Sequence, residues 1–177
     1  MNVLLINGSP HAHGCTDAAL QEIAKALNAD GIETTIYHIG AVPVGGCVGC
    51  GGCSKAGKCV FGGPVADVLP LVEKADGIVF GAPVHYATAA ASMLGFMHRL
   101  AISGGKYLRH KPAAVVTSAR RAGTTTALEA MEKVPQFFEM PLISSTYWPM
   151  VHGGKAEEAA ADAEGMQIMR NLGRNMA

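Results

Sequence analysis

The pattern of apolar positions along the chain predicts short strands separated by amphipathic helices. A continuous apolar run such as the one at 3–6 is typical of a strand that is buried on both faces of a sheet. The segment at 33–38 is rich in β-branched residues, which also favours a strand. We therefore expect strands at 3–6, 33–38, 76–82, 112–118 and 142–146.

Apolar residues three or four positions apart predict helices between these strands. Leu20, Ile23 and Leu27 share one face of the first helix, for which Thr16 or Asp17 is the expected cap. The other helices are expected from Pro64 through Val72, from about Thr88 through Leu100, from Thr124 to about Phe138 with Pro135 kinking or shortening it, and from Ala156 to Met176.

Strands that alternate with helices indicate a parallel sheet with helices on both faces. We expect an α/β fold, a flavodoxin-like three-layer sandwich whose five-stranded parallel sheet has the order 2-1-3-4-5. A chain of 177 residues fits one domain, so residues 1–177 are expected to form a single unit. A Gly- and Cys-rich insertion loop at about 40–64 interrupts the pattern. In this fold a ligand lies at the carboxyl ends of strands one, three and four.

Composition argues against several classes of protein. The 14 basic residues balance the 14 acidic ones, whereas a nucleic-acid-binding protein needs a basic surface. No apolar run approaches the length of a membrane span, so we expect no membrane association. The first strand begins at the N-terminus without room for a signal peptide, which predicts a cytoplasmic protein.

The loop between the first strand and the first helix is suited to holding a phosphate. Unpaired N–H groups and the helix dipole favour an anion at a helix N-terminus. The ATP/GTP-binding loop would need a Lys after Gly14, and the dinucleotide fingerprint would need a further Gly after Gly8. A hydroxyl-rich loop with two imidazoles remains, which indicates a mononucleotide such as FMN. The alternative is an ordinary strand–loop–helix turn without a ligand.

Two further loops at the same edge have the character of binding loops. After strand three, backbone groups at 84–87 could reach the polar edge of a flavin ring, and Tyr86 could lie against that ring. His85 either polarises a flavin atom or is simply exposed. After strand four, Arg120 or Arg121 could stabilise charge on a reduced flavin or attract the phosphate of a nicotinamide cofactor. The alternatives are a surface aromatic and a solvated arginine pair.

Three segments resemble the flavin-contacting segments of the NADPH-dependent FMN reductase superfamily. They are Gly8-Ser9-Pro10 with Gly14-x-Thr16, Ala82-Pro83-Val84-His85-Tyr86, and Ser118 through Gly123. The family usually has Arg or Lys where His11 and Ala12 stand, so phosphate binding is expected to be weaker or to depend on pH. The resemblance implies an FMN site formed by Ser9, His11, His13, Gly14, Cys15, Thr16, Pro83, Val84, His85, Tyr86, Ser118, Arg120 and Gly123.

Four cysteines, Cys47, Cys50, Cys53 and Cys59, have the spacing C-x2-C-x2-C-x5-C. Closely spaced thiolates in a Gly-rich segment are similar to the bacterial ferredoxin run, and all four could ligate one [4Fe–4S] cluster. Zinc, which usually takes two separated pairs, and free or redox-active thiols are the alternatives. The motif also resembles that of the iron–sulfur flavoproteins, a branch of the same superfamily. That resemblance implies a metal site that passes electrons from ferredoxin to FMN.

The function expected from the sequence is that of an FMN-dependent oxidoreductase. Electrons would come from NAD(P)H, or from ferredoxin through the cluster, and pass to a small-molecule acceptor such as a flavin, a quinone or an oxygen species. No catalytic acid or nucleophile is expected, because the chemistry belongs to the cofactor. The resemblance implies a homodimer or homotetramer. The competing hypotheses are a non-enzymatic electron-transfer flavoprotein or redox sensor, and a phosphate-binding domain without flavin.

Overall fold

The computed structural model describes residues 1–177, in which a mainly parallel sheet lies between two layers of helices. The parallel strands have the order β2-β1-β3-β5-β6, and β4 forms an antiparallel hairpin with β3. Without the hairpin strand this is the predicted flavodoxin-like order 2-1-3-4-5. The strands are β1 (Asn2–Asn7), β2 (Glu33–His38), β3 (Gly77–His85), β4 (Thr88–Ala89), β5 (Ala113–Ala119) and β6 (Met150–His152).

Eight helices connect and cover these strands. None of them combines the length and the apolar character that crossing a bilayer requires. A 3₁₀ turn at Gly105–Tyr107 follows the fifth helix. The helices are α1 (Cys15–Ala29), α2 (Cys53–Ala56), α3 (Pro64–Asp67), α4 (Leu69–Lys74), α5 (Ala91–Gly104), α6 (Thr124–Phe137), α7 (Ala156–Ala161) and α8 (Ala163–Met176).

Each face of the sheet has its own hydrophobic core, because successive side chains of a strand point to opposite faces. Leu4 and Ile6 of β1 pack on the face covered by α5 and α6. Val3 and Leu5 pack on the face covered by α1 and α8. Each fully buried aliphatic side chain contributes about 1.5–3 kcal/mol of transfer free energy. These cores hold the carboxyl ends of β1, β3 and β5 together at one edge.

The predicted strand at 142–146 is wrong. Only Leu142 bridges to β5, and the parallel strand at this edge is β6, further along the chain. From Ser144 onward the segment makes hydrogen bonds to α8 rather than to β5. The Ser145 hydroxyl donates to the Ile168 carbonyl at 2.7 Å, and Asn175 Nδ2 donates to the Ser144 carbonyl at 2.8 Å.

Four helix starts also differ from the sequence prediction. The helix expected from Pro64 through Val72 is two short helices, α3 and α4, that meet at Val68. Neither Thr16 nor Asp17 caps α1, which begins at Cys15 after Gly14 and has no side-chain cap. Thr88 lies in β4 rather than at the start of α5. The predicted single helix at 156–176 is divided in two at Asp162, because this carboxylate accepts the Gly165 N–H at 3.0 Å and starts α8 anew.

Candidate functional site

A pocket of 540 Å³ opens at the carboxyl edge of β1, β3 and β5, and we call it the edge pocket. Its volume is in the range of small-molecule sites. The sequence prediction placed thirteen cofactor-binding residues at this edge, and the structure brings most of them together. Those that line the edge pocket are Ser9, His11, His13, Gly14, Cys15, Thr16, Pro83, Val84, Ser118 and Arg120.

The N-terminus of α1 opens into the edge pocket. The preceding residue, Gly14, has extended backbone and offers no side chain to the first turn. The first N–H groups of a helix have no intrahelical partner, so those at Cys15 and Thr16 remain available to an anion. This arrangement fits a phosphate, with the hydroxyls of Ser9 and Thr16 beside it.

Side chains that sequence reasoning missed hold the loop between β1 and α1. Buried Asn7 accepts the Ser9 N–H at 3.0 Å and donates to the Ala12 carbonyl at 3.2 Å. His38, at the end of β2, places Nε2 at 2.7 Å from the Ser9 carbonyl oxygen. The His11 N–H donates to the Ser9 hydroxyl at 3.1 Å. The loop is therefore organised before any ligand binds. The sequence signal for Asn7 was its position as a polar residue at the end of a buried strand.

Two of the three predicted segments meet through a buried hydrogen bond. Thr16 Oγ1 lies 2.8 Å from Ser118 Oγ, and both side chains are buried. Ser118 is also in register with Pro83 across β3 and β5. The start of α1 and the ends of two strands are thereby held in one fixed arrangement.

His85, Tyr86 and Gly123 lie beside the edge pocket and do not line it. Tyr86 forms the tip of the β3–β4 hairpin, where its side chain is fully exposed. Gly123 adopts φ of 90°, and a Cβ there would come within 2.6 Å of Ala87 Cα and 3.1 Å of Val84 Cγ1. The hairpin therefore rests on Gly123, and Val84 connects it to the pocket wall.

The segment after β6 contributes a wall of the edge pocket that the sequence did not reveal. Lys155 and Glu157 line the pocket, as does Gly153. Lys155, together with Arg120, supplies a cation at the pocket, although the loop at 9–16 contains only histidines as basic residues. Sequence reasoning missed this wall because it placed the last strand at 142–146, eight residues before β6 begins at Met150.

Cys15 is a structural part of the edge pocket. Its Sγ donates to the Gly153 carbonyl at 3.3 Å and so connects α1 to the segment after β6. Burial raises the pKa of the Cys15 thiol, and Glu158 and Glu157 raise it further, against a lowering by a backbone hydrogen bond. The thiol therefore stays protonated near neutral pH and is not an activated nucleophile.

The four clustered cysteines line a second cavity, of 170 Å³, which we call the cysteine cavity. All of them are free of disulfide bonds; Cys47 and Cys50 are exposed, whereas Cys53 and Cys59 are half-buried. Their side chains are not gathered into a metal-binding group. Arg99 and Ile102 of α5 form the opposite wall.

The loop that carries these cysteines depends on glycines in the left-handed region, as at Gly49 and Gly51, with φ of 67° and 69°. Such a backbone can bring neighbouring thiols around one centre with little steric cost. Four thiols around one cavity are by their chemistry the donor set of an iron–sulfur cluster, so the residues fit that group. Ligation would need the sulfurs to draw closer together.

The chain as a whole is similar in sequence to known proteins. The family model for NADPH-dependent FMN reductase matches residues 1–155. An iron-sulfur flavoprotein of Methanocaldococcus jannaschii is 29% identical, and the alignment covers 100% of this chain and 96% of that protein. An iron-sulfur flavoprotein of Archaeoglobus fulgidus is 33% identical over 70% of this chain and 62% of that protein.

Solved structures show the same fold at low sequence identity. A flavodoxin, WrbA-like protein from Agrobacterium tumefaciens superposes with a TM-score of 0.71 at 14% identity, covering 99% of this chain and 94% of that one. A flavodoxin from the domain Archaea gives a TM-score of 0.68 at 15% identity, covering 100% and 96%. The flavodoxin-like fold predicted from the sequence is thus confirmed.

Proposed function

The chain belongs to the NADPH-dependent FMN reductase family and is an FMN-dependent oxidoreductase, and on that premise we propose how it binds FMN and where its electrons come from. The observation that carries the proposal is the uncapped N-terminus of α1. It opens, together with the hydroxyls of Ser9 and Thr16, into a pocket at the carboxyl edge of the sheet.

The FMN phosphate binds in the loop from Ser9 to Thr16. N–H groups of the first turn of α1 donate to the phosphate oxygens, and Ser9 and Thr16 add hydroxyl donors. His11 and His13 lie beside the phosphate, and Lys155 supplies a cation on the opposite side of the edge pocket. Asn7 and His38 hold the loop in position for this contact.

The flavin ring would lie over the carboxyl ends of the paired strands β3 and β5. Pro83 and Val84 of β3, Ser118 of β5 and Arg120 just after it line the edge pocket there. His85, Tyr86 and Gly123 flank the opening of the pocket, so the hairpin covers the ring from outside. This arrangement keeps water away from one side of the ring and leaves the other open to a substrate.

Bound FMN supplies the hydride and single-electron chemistry of the reaction. The residues of this chain bind and orient the cofactor, and no side chain is required as an acid, base or nucleophile. Arg120, exposed at the pocket, stabilises negative charge on the ring or attracts the phosphate of NAD(P)H. The acceptor is a small molecule such as a flavin, a quinone or an oxygen species.

The four cysteines of the cysteine cavity would hold a [4Fe–4S] cluster, which would supply one-electron transfer from ferredoxin to FMN. Support comes from the four free thiols around one cavity and from relatives whose names describe them as iron-sulfur flavoproteins. Exposed Phe61, Ile102 and Phe137 lie near this cavity and support assembly into a homodimer or homotetramer.

Anaerobic purification followed by iron, sulfide and flavin analysis tests this function. We expect one FMN and about four iron and four sulfide per chain after reconstitution, the stoichiometry of a single cluster. FMN reduction is then measured with NADPH, NADH or reduced ferredoxin as donor. Flavin reduction by none of these donors would contradict the oxidoreductase proposal in favour of a redox sensor. Absence of iron after reconstitution would contradict the cluster.

A further inference from the structure

We propose that Arg99 raises the reduction potential of the cluster in the cysteine cavity by hydrogen bonding to the sulfur of Cys59. The proposal rests on the proposed function, because it requires that the four cysteines ligate a [4Fe–4S] cluster. Within that function it assigns a role to a helix residue outside the cysteine motif and distinguishes one of the four ligands from the others.

Two guanidinium nitrogens of Arg99 donate hydrogen bonds to the sulfur of Cys59. Its Nε lies 3.4 Å from Cys59 Sγ and its Nη2 lies 3.1 Å from the same sulfur. Nη2 also donates to the Gly62 carbonyl at 3.0 Å. The guanidinium thus holds both the sulfur and the backbone of the chain after it. A planar fork loses little conformational freedom when it makes such a contact.

The base of this contact is the packed helix α5. Arg99 stands on α5 between buried Met97 and Leu100, and its carbonyl accepts the Ser103 hydroxyl at 2.8 Å. Gly62, on the other side of the contact, has φ of 61° in the left-handed region. The helix therefore fixes the backbone position of Arg99, and the loop turns at Gly62 beside the guanidinium.

The charge of Arg99 has no carboxylate partner. None of the ion pairs of the chain includes it, although two other arginines are paired with glutamates. Arg99 is only half-buried, and its polar partners are a cysteine sulfur and a carbonyl oxygen. An unpaired cation directed at a thiol is suited to compensating negative charge on that sulfur.

The direction of the effect follows from charge. Reduction of the cluster by one electron from a reductant such as dithionite adds a negative charge and forms or breaks no bond. Hydrogen bonds to the sulfurs and nearby positive charge stabilise the reduced state more than the oxidised one. Arg99 therefore favours acceptance of an electron from ferredoxin, and its removal lowers the potential.

The test compares Arg99→Gln with Lys58→Gln in the full-length protein after cluster reconstitution. Both changes remove one positive charge near Cys59, but Lys58 is exposed and makes no hydrogen bond to a cysteine sulfur. Cluster reduction is followed by electron paramagnetic resonance in a potentiometric titration. For Arg99→Gln we expect a fall of about tenfold in the equilibrium constant for reduction, which is about 59 mV for one electron. Lys58→Gln should change this equilibrium constant by less than about threefold.

Arg99→Lys keeps the positive charge but loses the planar guanidinium with its two donors. The reduction potential of the cluster in this variant should lie between those of wild type and Arg99→Gln. If Arg99→Gln does not retain a cluster, Arg99→Lys decides, and a potential equal to that of wild type overturns the proposal. Equal shifts in Arg99→Gln and Lys58→Gln also overturn it. A wild-type protein that holds no cluster refutes the proposed function itself, and the iron analysis made before the titration identifies that outcome.

Discussion

The β3–β4 hairpin turns through Tyr86 and Ala87, whose φ angles of 51° and 60° lie in the left-handed region. A two-residue hairpin loop of this kind needs positive φ at both positions, which strongly favours Asn-Gly. Each ordinary L-residue in this conformation costs roughly 1–2 kcal/mol. Tyr86 is fully exposed, so its ring gives no packing energy in return.

We therefore expect Tyr86→Asn combined with Ala87→Gly to stabilise the protein. Relief of strain amounts to about 2–4 kcal/mol, and the added freedom of glycine in the unfolded chain subtracts about 0.4–1 kcal/mol. The net gain in the free energy of unfolding is about 1–3 kcal/mol. For a chain of this size, each kcal/mol raises Tm by roughly 2–4 °C. Because the same hairpin flanks the proposed flavin site, turnover should fall while stability rises.

The assay is urea unfolding of the apoprotein followed by circular dichroism. Tyr86→Phe keeps the strained tip and should leave the midpoint unchanged. Ala41→Gly changes an exposed alanine whose φ is not positive, and should destabilise slightly. A double variant that is no more stable than wild type, at unchanged m-value, would refute the reasoning from strain.

Three further variants test other parts of the structure. Burial raises the pKa of Glu22, but hydrogen bonds from Arg170 and Lys25, together with their charges, outweigh it and hold that pKa below its ordinary 4.5. The stabilisation from Glu22 is therefore present above that pH and is lost as pH falls. Glu22→Gln should cost roughly 1 kcal/mol at pH 7 and reduce the acid sensitivity of the urea midpoint. A Cβ in Gly95→Ala would meet the Val44 carbonyl, so this variant should bind less iron; unchanged loading would contradict a fixed contact between α5 and the cysteine loop. Lys155→Gln should weaken FMN binding severalfold at pH 8, and unchanged affinity would show that this cation does not assist the phosphate.

The sequence allowed the fold to be predicted wherever a buried strand is continuous and apolar. Apolar runs identified β1, β3 and β5, and the β-branched residues at 33–38 identified β2. The alternation with helices then predicted the order of these strands. The sequence could not show that Ser144 and Ser145 bond to α8, because those bonds join residues more than twenty positions apart. The last strand, β6, is only three residues long and has little pattern of its own.

In the edge pocket and the cysteine cavity, too, local motifs could be predicted from the sequence and long-range contacts could not. Residues in compact motifs, such as those from Ser9 to Thr16, could be assigned because the motif and the wall coincide. Lys155 could not be assigned to the edge pocket, since its position depends on where β6 ends. Arg99 could not be assigned to the cysteine cavity, because only the packing of α5 against the loop brings it to Cys59, forty positions away.

The most direct test of the central claim is fluorescence titration of the apoprotein with FMN and, in parallel, with riboflavin, which lacks the phosphate. If the loop from Ser9 to Thr16 holds the phosphate, FMN fluorescence is quenched with one site per chain. Riboflavin should then bind at least about tenfold more weakly, the loss expected for one charged hydrogen bond. Equal affinity for the two flavins, or no quenching by either, would contradict the account.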